Sequence, residues 1–106
     1  MAWLYLIAAG LLEIGFTTAM RFSEGFTRLW PTLAFIALGG LSFYCLGRAI
    51  ATIPLGTAYA VWTGIGAAGT AVLGILYFQE PLTFWRVFFI VTLIASIVGL
   101  KFVAGD

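Results

Sequence analysis

Glu13 is the residue best placed to do chemistry in this chain, because the stretch around it, AGLLEIGFTTAM (Ala9 to Met20), is otherwise that of a helix bound for lipid. An unpaired carboxylate in hydrocarbon is costly, so Glu13 should either take up a proton or hold a cation. The two responses exclude each other. One group that binds either, in a cavity open to one side at a time, is the minimal machinery of proton-coupled exchange, and an ionisable residue inside a membrane segment marks a functional site by default. The plainer alternative is a glutamate that is merely tolerated.

Helical spacing places Leu6, Ala9, Gly10, Phe16, Thr17 and Met20 on or near the face of Glu13, and small neighbours such as Gly10 leave volume for a ligand. Further along the chain Tyr59 and Trp62 lie three apart and share a helical face, continued by Thr63 and Gly66. Aromatic walls attract organic cations, and a tyrosine hydroxyl donates well to a carboxylate. Against this, Trp and Tyr often only mark the lipid interface, which is how Trp3, Trp30 and Trp85 read at segment ends. Trp62 is about a third of the way along its segment, which favours a pocket role. Ser42 reads equally as a helix-packing serine or as a ligand.

Other chemistries lack their residues. There is no histidine, so neither a histidine metal site nor a histidine relay is available, and the single Cys45 reads as a small apolar filler. Glu24, Glu80 and Asp106 fall in loops or at the terminus, where a solvated charge is the ordinary reading. No glycine-rich phosphate loop is present, and the net charge of +1 makes no case for nucleic acid. An enzyme is not expected, nor any cofactor or metal.

The elements that must position Glu13 follow from hydropathy. The chain has 106 residues, 63% hydrophobic and 8% charged, far from the soluble balance of roughly a quarter charged. Leu29 to Gly47, Ala49 to Gln79 and Val87 to Leu100 carry no charge. Since about 20 apolar residues cross a bilayer, the chain reads as an all-α membrane protein with a single four-helix transmembrane domain over residues 1–106. The spans expected are about 2–20, 31–50 with Pro31 at a helix start, 55–77 after the Ile53-Pro54 break, and 83–103. A signal peptide is disfavoured for the first of them, which has no basic region before it and no small-residue cleavage site after it.

Arg48 and Lys101 lie on the side of the termini, against Arg21, Arg28 and Arg86 on the other, too weak a bias to fix one orientation. Insertion both ways round, with two copies pairing head to tail, and a single orientation set by one arginine both fit that count. A chain this small cannot surround Glu13 on all sides, so a partner copy is expected. Gly39, Gly40, Gly64, Gly66, Gly69 and the Ala95/Gly99 pair offer close helix approaches. Arg86 and Lys101, near the ends of the last span, are able to snorkel to the interface.

With these residues in place the chain resembles the small multidrug resistance family of proton-coupled exporters over essentially its full length. FSEGFTRLWP (Phe22 to Pro31), PLGTAYAVWTGIGA (Pro54 to Ala67) and the first-helix glutamate carry the resemblance. It implies a multi-pass protein of the bacterial inner membrane, assembled as an antiparallel dual-topology homodimer whose two Glu13 copies line one pocket. Some members instead pair with a paralogous chain. By position, Glu13 corresponds to the proton- and substrate-binding carboxylate, Tyr59 and Trp62 to the pocket aromatics, and Ser42 to a hydroxyl near the glutamate. Gly64 and Gly66 fall where family members bend the third helix, and glycine weakens a helix locally.

The family divides into guanidinium exporters and exporters of quaternary ammonium and aromatic cations. GTAYAVWTGIGAAG and the Gly99-Leu100-Lys101 segment resemble the guanidinium branch, whereas GFTTAMRFSEGFTRLWP resembles the multidrug branch. Guanidinium exporters typically carry tryptophan at the position of Phe16, and phenylalanine offers its bulk without the N–H donor. Phe89 and Ser96 stand where multidrug members have fourth-helix glycines. The expected substrates are therefore guanidinium and substituted guanidinium cations, with broadened tolerance. The alternatives are a multidrug exporter and a non-transporting accessory subunit whose Glu13 pairs with a basic partner helix.

Overall fold

The computed structural model describes residues 1–104; Asp106 lies outside the described residues. Four helices make up the chain: α1 (Ala2–Phe22), α2 (Leu29–Ala49), α3 (Leu55–Leu76) and α4 (Phe84–Ala104), with no strand among the described residues. Each is long and apolar enough to cross a membrane. A helix satisfies all of its backbone hydrogen bonds internally, which is why this hydropathy pattern folds so in lipid.

Helix α2 begins at Leu29, two residues before the expected start. Pro31 still falls in the first turn, where backbone N–H groups lack intrahelical partners and a missing one removes nothing. Between α1 and α2 the chain turns through Glu24, Gly25 and Phe26, all at positive φ (50°, 74° and 66°). Glu24 and Phe26 are unusual there, and the buried Ser23 holds the turn. Its hydroxyl donates to the Met20 carbonyl (2.6 Å) and accepts the Phe26 N–H (3.1 Å).

Helix α1 is the central element, packed against α2 and α3, while α4 leans on α3. Leu6, Ala9, Cys45, Ala49, Ile53, Ala58, Val61 and Trp62 form the core, at the end of the bundle that carries the termini. Cations at that end lie on aromatic rings: Arg48 is 5.0 Å from the Tyr5 ring centroid and Lys101 4.9 Å from that of Trp3. No residue of α4 from Phe84 to Val103 is buried within the chain. The backbone measures 42 × 35 × 17 Å, little thicker than one helix with its side chains. Midway along α1, Glu13 is only partly buried within the chain.

Candidate substrate and proton site

Glu13 projects from α1 onto α3 at Gly66, where even a Cβ atom would collide with the carboxyl group. The bare glycine thus lets the carboxylate lie against the α3 backbone. It opens into a cavity of about 540 Å³ lined by Glu13, Thr17, Thr63, Gly66, Ala67, Thr70, Ala71 and Glu80. One Glu13 carboxyl oxygen, Oε1, is buried with no hydrogen-bond partner among the described residues. A buried acceptor left unmade costs about 1–3 kcal/mol, and this oxygen lies against α3 at Gly66. A larger groove of about 770 Å³ between α1, α3 and α4 is almost wholly apolar, and Glu13 does not line it.

The remaining residues singled out in the sequence divide between this cavity and the packed side of α1. Thr17, one turn beyond Glu13, shares the cavity. Ser42 is fully buried and does not line it: its hydroxyl donates to the Ala9 carbonyl (2.8 Å) and accepts the Trp62 indole N–H (3.0 Å). Ala9 is four residues before Glu13, so its carbonyl also receives the Glu13 N–H in the regular helix. Ser42 and Trp62 are thereby joined to the backbone one turn from the carboxylate rather than to the carboxylate. Trp62 belongs to the core, and Tyr59, ring to ring with it at 5.7 Å, is exposed one turn from the cavity-lining Thr63.

Phe16 faces α2, edge-on to Phe35 (5.7 Å between centroids) and stacked on Phe43 (6.4 Å). Gly10 is buried against Ile65, whose side chain would lie 2.7 Å from an added Cβ, so it serves close packing of α1 on α3 rather than ligand volume. Helix α3 runs unbroken through Gly64 and Gly66, with Gly64 making room for Ile97 of α4.

Glu80 is an exposed loop charge, as expected, but the chain holds its carboxyl close to the bundle. Gln79 at φ 59° turns the chain back, the Glu80 N–H donates to the Gly74 carbonyl (3.0 Å), and the carboxyl folds over Gly74 at 2.7 Å from where a Cβ would stand. Arg86 Nη1 holds its Oε1 at 3.0 Å. Glu80 lines the Glu13 cavity and also a second one of about 280 Å³, shared with Thr17, Thr18, Arg21, Thr70, Gly74 and Phe78. The signal in sequence was faint: a glycine in the last turn of α3, six residues before a glutamate that precedes a proline.

Four helices long and apolar enough to cross a membrane, with a carboxylate midway along the first facing a cavity, define an integral membrane protein. The sequence profile described as Small Multidrug Resistance protein matches residues 1–94, and the chain belongs to that family. It is 44% identical over 101 residues to the guanidinium exporter of Yersinia pseudotuberculosis serotype I (strain IP32953), covering 95% of this chain and 97% of that one. It is 45% identical over 101 residues to the guanidinium exporter of Citrobacter freundii (95% and 96% covered). With the uncharacterized membrane protein YvdR of Bacillus subtilis (strain 168) it shares 38% over 106 residues, the full length of both. The chain is accordingly a multi-pass protein of the bacterial inner membrane, and the relatives named for an activity are exporters rather than enzymes.

Proposed function

We propose that the protein is a proton-coupled antiporter that exports guanidinium and substituted guanidinium cations. The observation that carries this reading is the Glu13 carboxylate, with one oxygen buried and unpartnered, facing a cavity of about 540 Å³. A planar cation with several N–H donors matches a carboxylate, and protonation of that carboxylate excludes the cation, which couples the two fluxes. The naming of relatives at 44–45% identity as guanidinium exporters supports the substrate class. Phe16, packed among phenylalanines and without an N–H to orient Glu13, supports tolerance of substituents.

The working unit is an antiparallel homodimer in which the second copy closes the open side of the cavity, and Gly64 and Gly66 allow α3 to bend as the two copies exchange conformations. The thinness of the chain and the balanced loop charges support it. In this unit Tyr59, exposed beside the cavity, meets substrate from one copy, while Ser42 and Trp62 fix the turn of α1 that bears Glu13.

The decisive measurement is guanidinium-driven proton flux in liposomes containing the purified chain. Glu13→Gln keeps the shape but cannot ionise, and transport should vanish; flux near the wild-type level would overturn the proposal. Transport by the chain alone also separates it from an accessory subunit, and comparison of guanidinium, alkylguanidinium and tetraalkylammonium ions separates it from a multidrug exporter. Cysteine labelling from both membrane faces tests the pairing, since one exclusive orientation rules out the antiparallel homodimer.

A further inference from the structure

We infer that Glu80 is a second cation-handling residue, which draws the cation to the loop-side mouth of a polar groove leading to Glu13; the inference rests on the exchange reading above. Glu13 and Glu80 line one cavity, and Thr17, Thr70 and Glu80 are common to it and to the neighbouring cavity at Arg21 and Phe78. Helices α1 and α3 run in the same direction, so Glu13, Thr17 and Arg21 on one and Gly66, Thr70 and Gly74 on the other climb together. That climb is about 12 Å from Glu13 to Arg21 at 1.5 Å per residue. Glu80 caps it. The left-handed Gln79 and the missing side chain at Gly74 bring the carboxyl back over α3 while its side chain stays 47% exposed.

Arg21, the other charge in the second cavity, is turned onto the Phe78 ring (5.2 Å to the centroid). Arg86, outside both linings, holds one oxygen of Glu80. A carboxylate partly neutralised by an exposed arginine attracts a cation without trapping it, as suits a residue that must pass its ligand on. In an antiparallel pair each membrane face would present one such mouth.

The test uses proteoliposomes of the full chain with guanidinium ion as the probe, reading half-saturation and maximal rate separately. Glu80→Gln should raise the half-saturation concentration about fivefold at low ionic strength, the effect shrinking with added salt, and leave the maximal rate within about twofold. Arg86→Gln breaks the same ion pair but keeps the carboxylate, so half-saturation should not rise. Gly74→Ala, which displaces the Glu80 carboxyl without removing it, should raise half-saturation as Glu80→Gln does. An unchanged half-saturation in Glu80→Gln, or an equal rise in Arg86→Gln, overturns the inference and shows the pair to be only a clasp. If the wild-type chain moves no guanidinium at all, the exchange reading falls and this one with it.

Discussion

The two ends of the bundle are built on opposite principles. At the end bearing the termini, Leu6, Ala9, Ala49, Ala58 and Val61 are at most 1% exposed, and the polar groups of Ser42 and Trp62 hydrogen-bond within the core. Toward the loop end the same α1 helix turns the Glu13 side chain, one oxygen of which is buried without a partner, to an open cavity lined by threonines and a second carboxylate. One half commits its contacts to fixing the helices and the other turns a carboxyl group toward a cavity. Satisfied buried groups give rigidity, whereas a carboxyl group at a cavity can change its partner; the packed half has one orphan of its own, the buried Trp3 Nε1.

Four perturbations would break or sharpen this contrast. Gly66→Ala should have the largest effect, since the added methyl drives the Glu13 carboxyl off α3. Transport should fall on the order of 100-fold while detergent-titration unfolding moves little; a fall in stability matching the loss of flux would mean that Gly66 belongs to the packed half. Leu6→Ala should show the reverse, losing about 2 kcal/mol of stability with the pH dependence of transport unchanged. A shifted pH profile in that variant would join the two halves.

Acidification should act on the open half alone. On the proposed exchange, protons and guanidinium compete for one carboxylate, so below the Glu13 titration the apparent dissociation constant should rise by up to about tenfold per pH unit, measured by calorimetry in detergent. A flat profile would break the competition. The smallest effect is expected from Ser42→Ala, which removes the bonds to Ala9 and Trp62 at about 1 kcal/mol of stability. Proton affinity should change little, because Ser42 reaches the backbone one turn from Glu13 rather than its carboxylate.

These perturbations also separate what could be read from residues from what could not. Glu13 was legible because a single charge in an apolar run has no structural excuse. Thr17 followed from helical spacing. Ser42 and Trp62 were assigned to the neighbourhood of the glutamate, but a 100° step per residue does not say which neighbour a face meets, and here the two meet Ala9 and each other. Glu80 read as a solvated charge, and it is exposed, but loop position does not say which cavity a chain that turns back on itself will line.

The amino-acid sequence by itself determined the number and extent of the spans and the presence of one intramembrane carboxylate. Hydrophobic run length and the cost of a buried charge are local, additive properties of the residues. Tertiary structure alone decided where that carboxylate lies, which of its oxygens lacks a partner, and that Glu80 overlooks the same cavity. Those outcomes depend on α3 approaching α1 within the space of a missing side chain at Gly66, and on the turn at Gln79 folding Glu80 over Gly74. Close approach between elements distant in sequence is set by the joint packing of all four helices, which no single segment encodes.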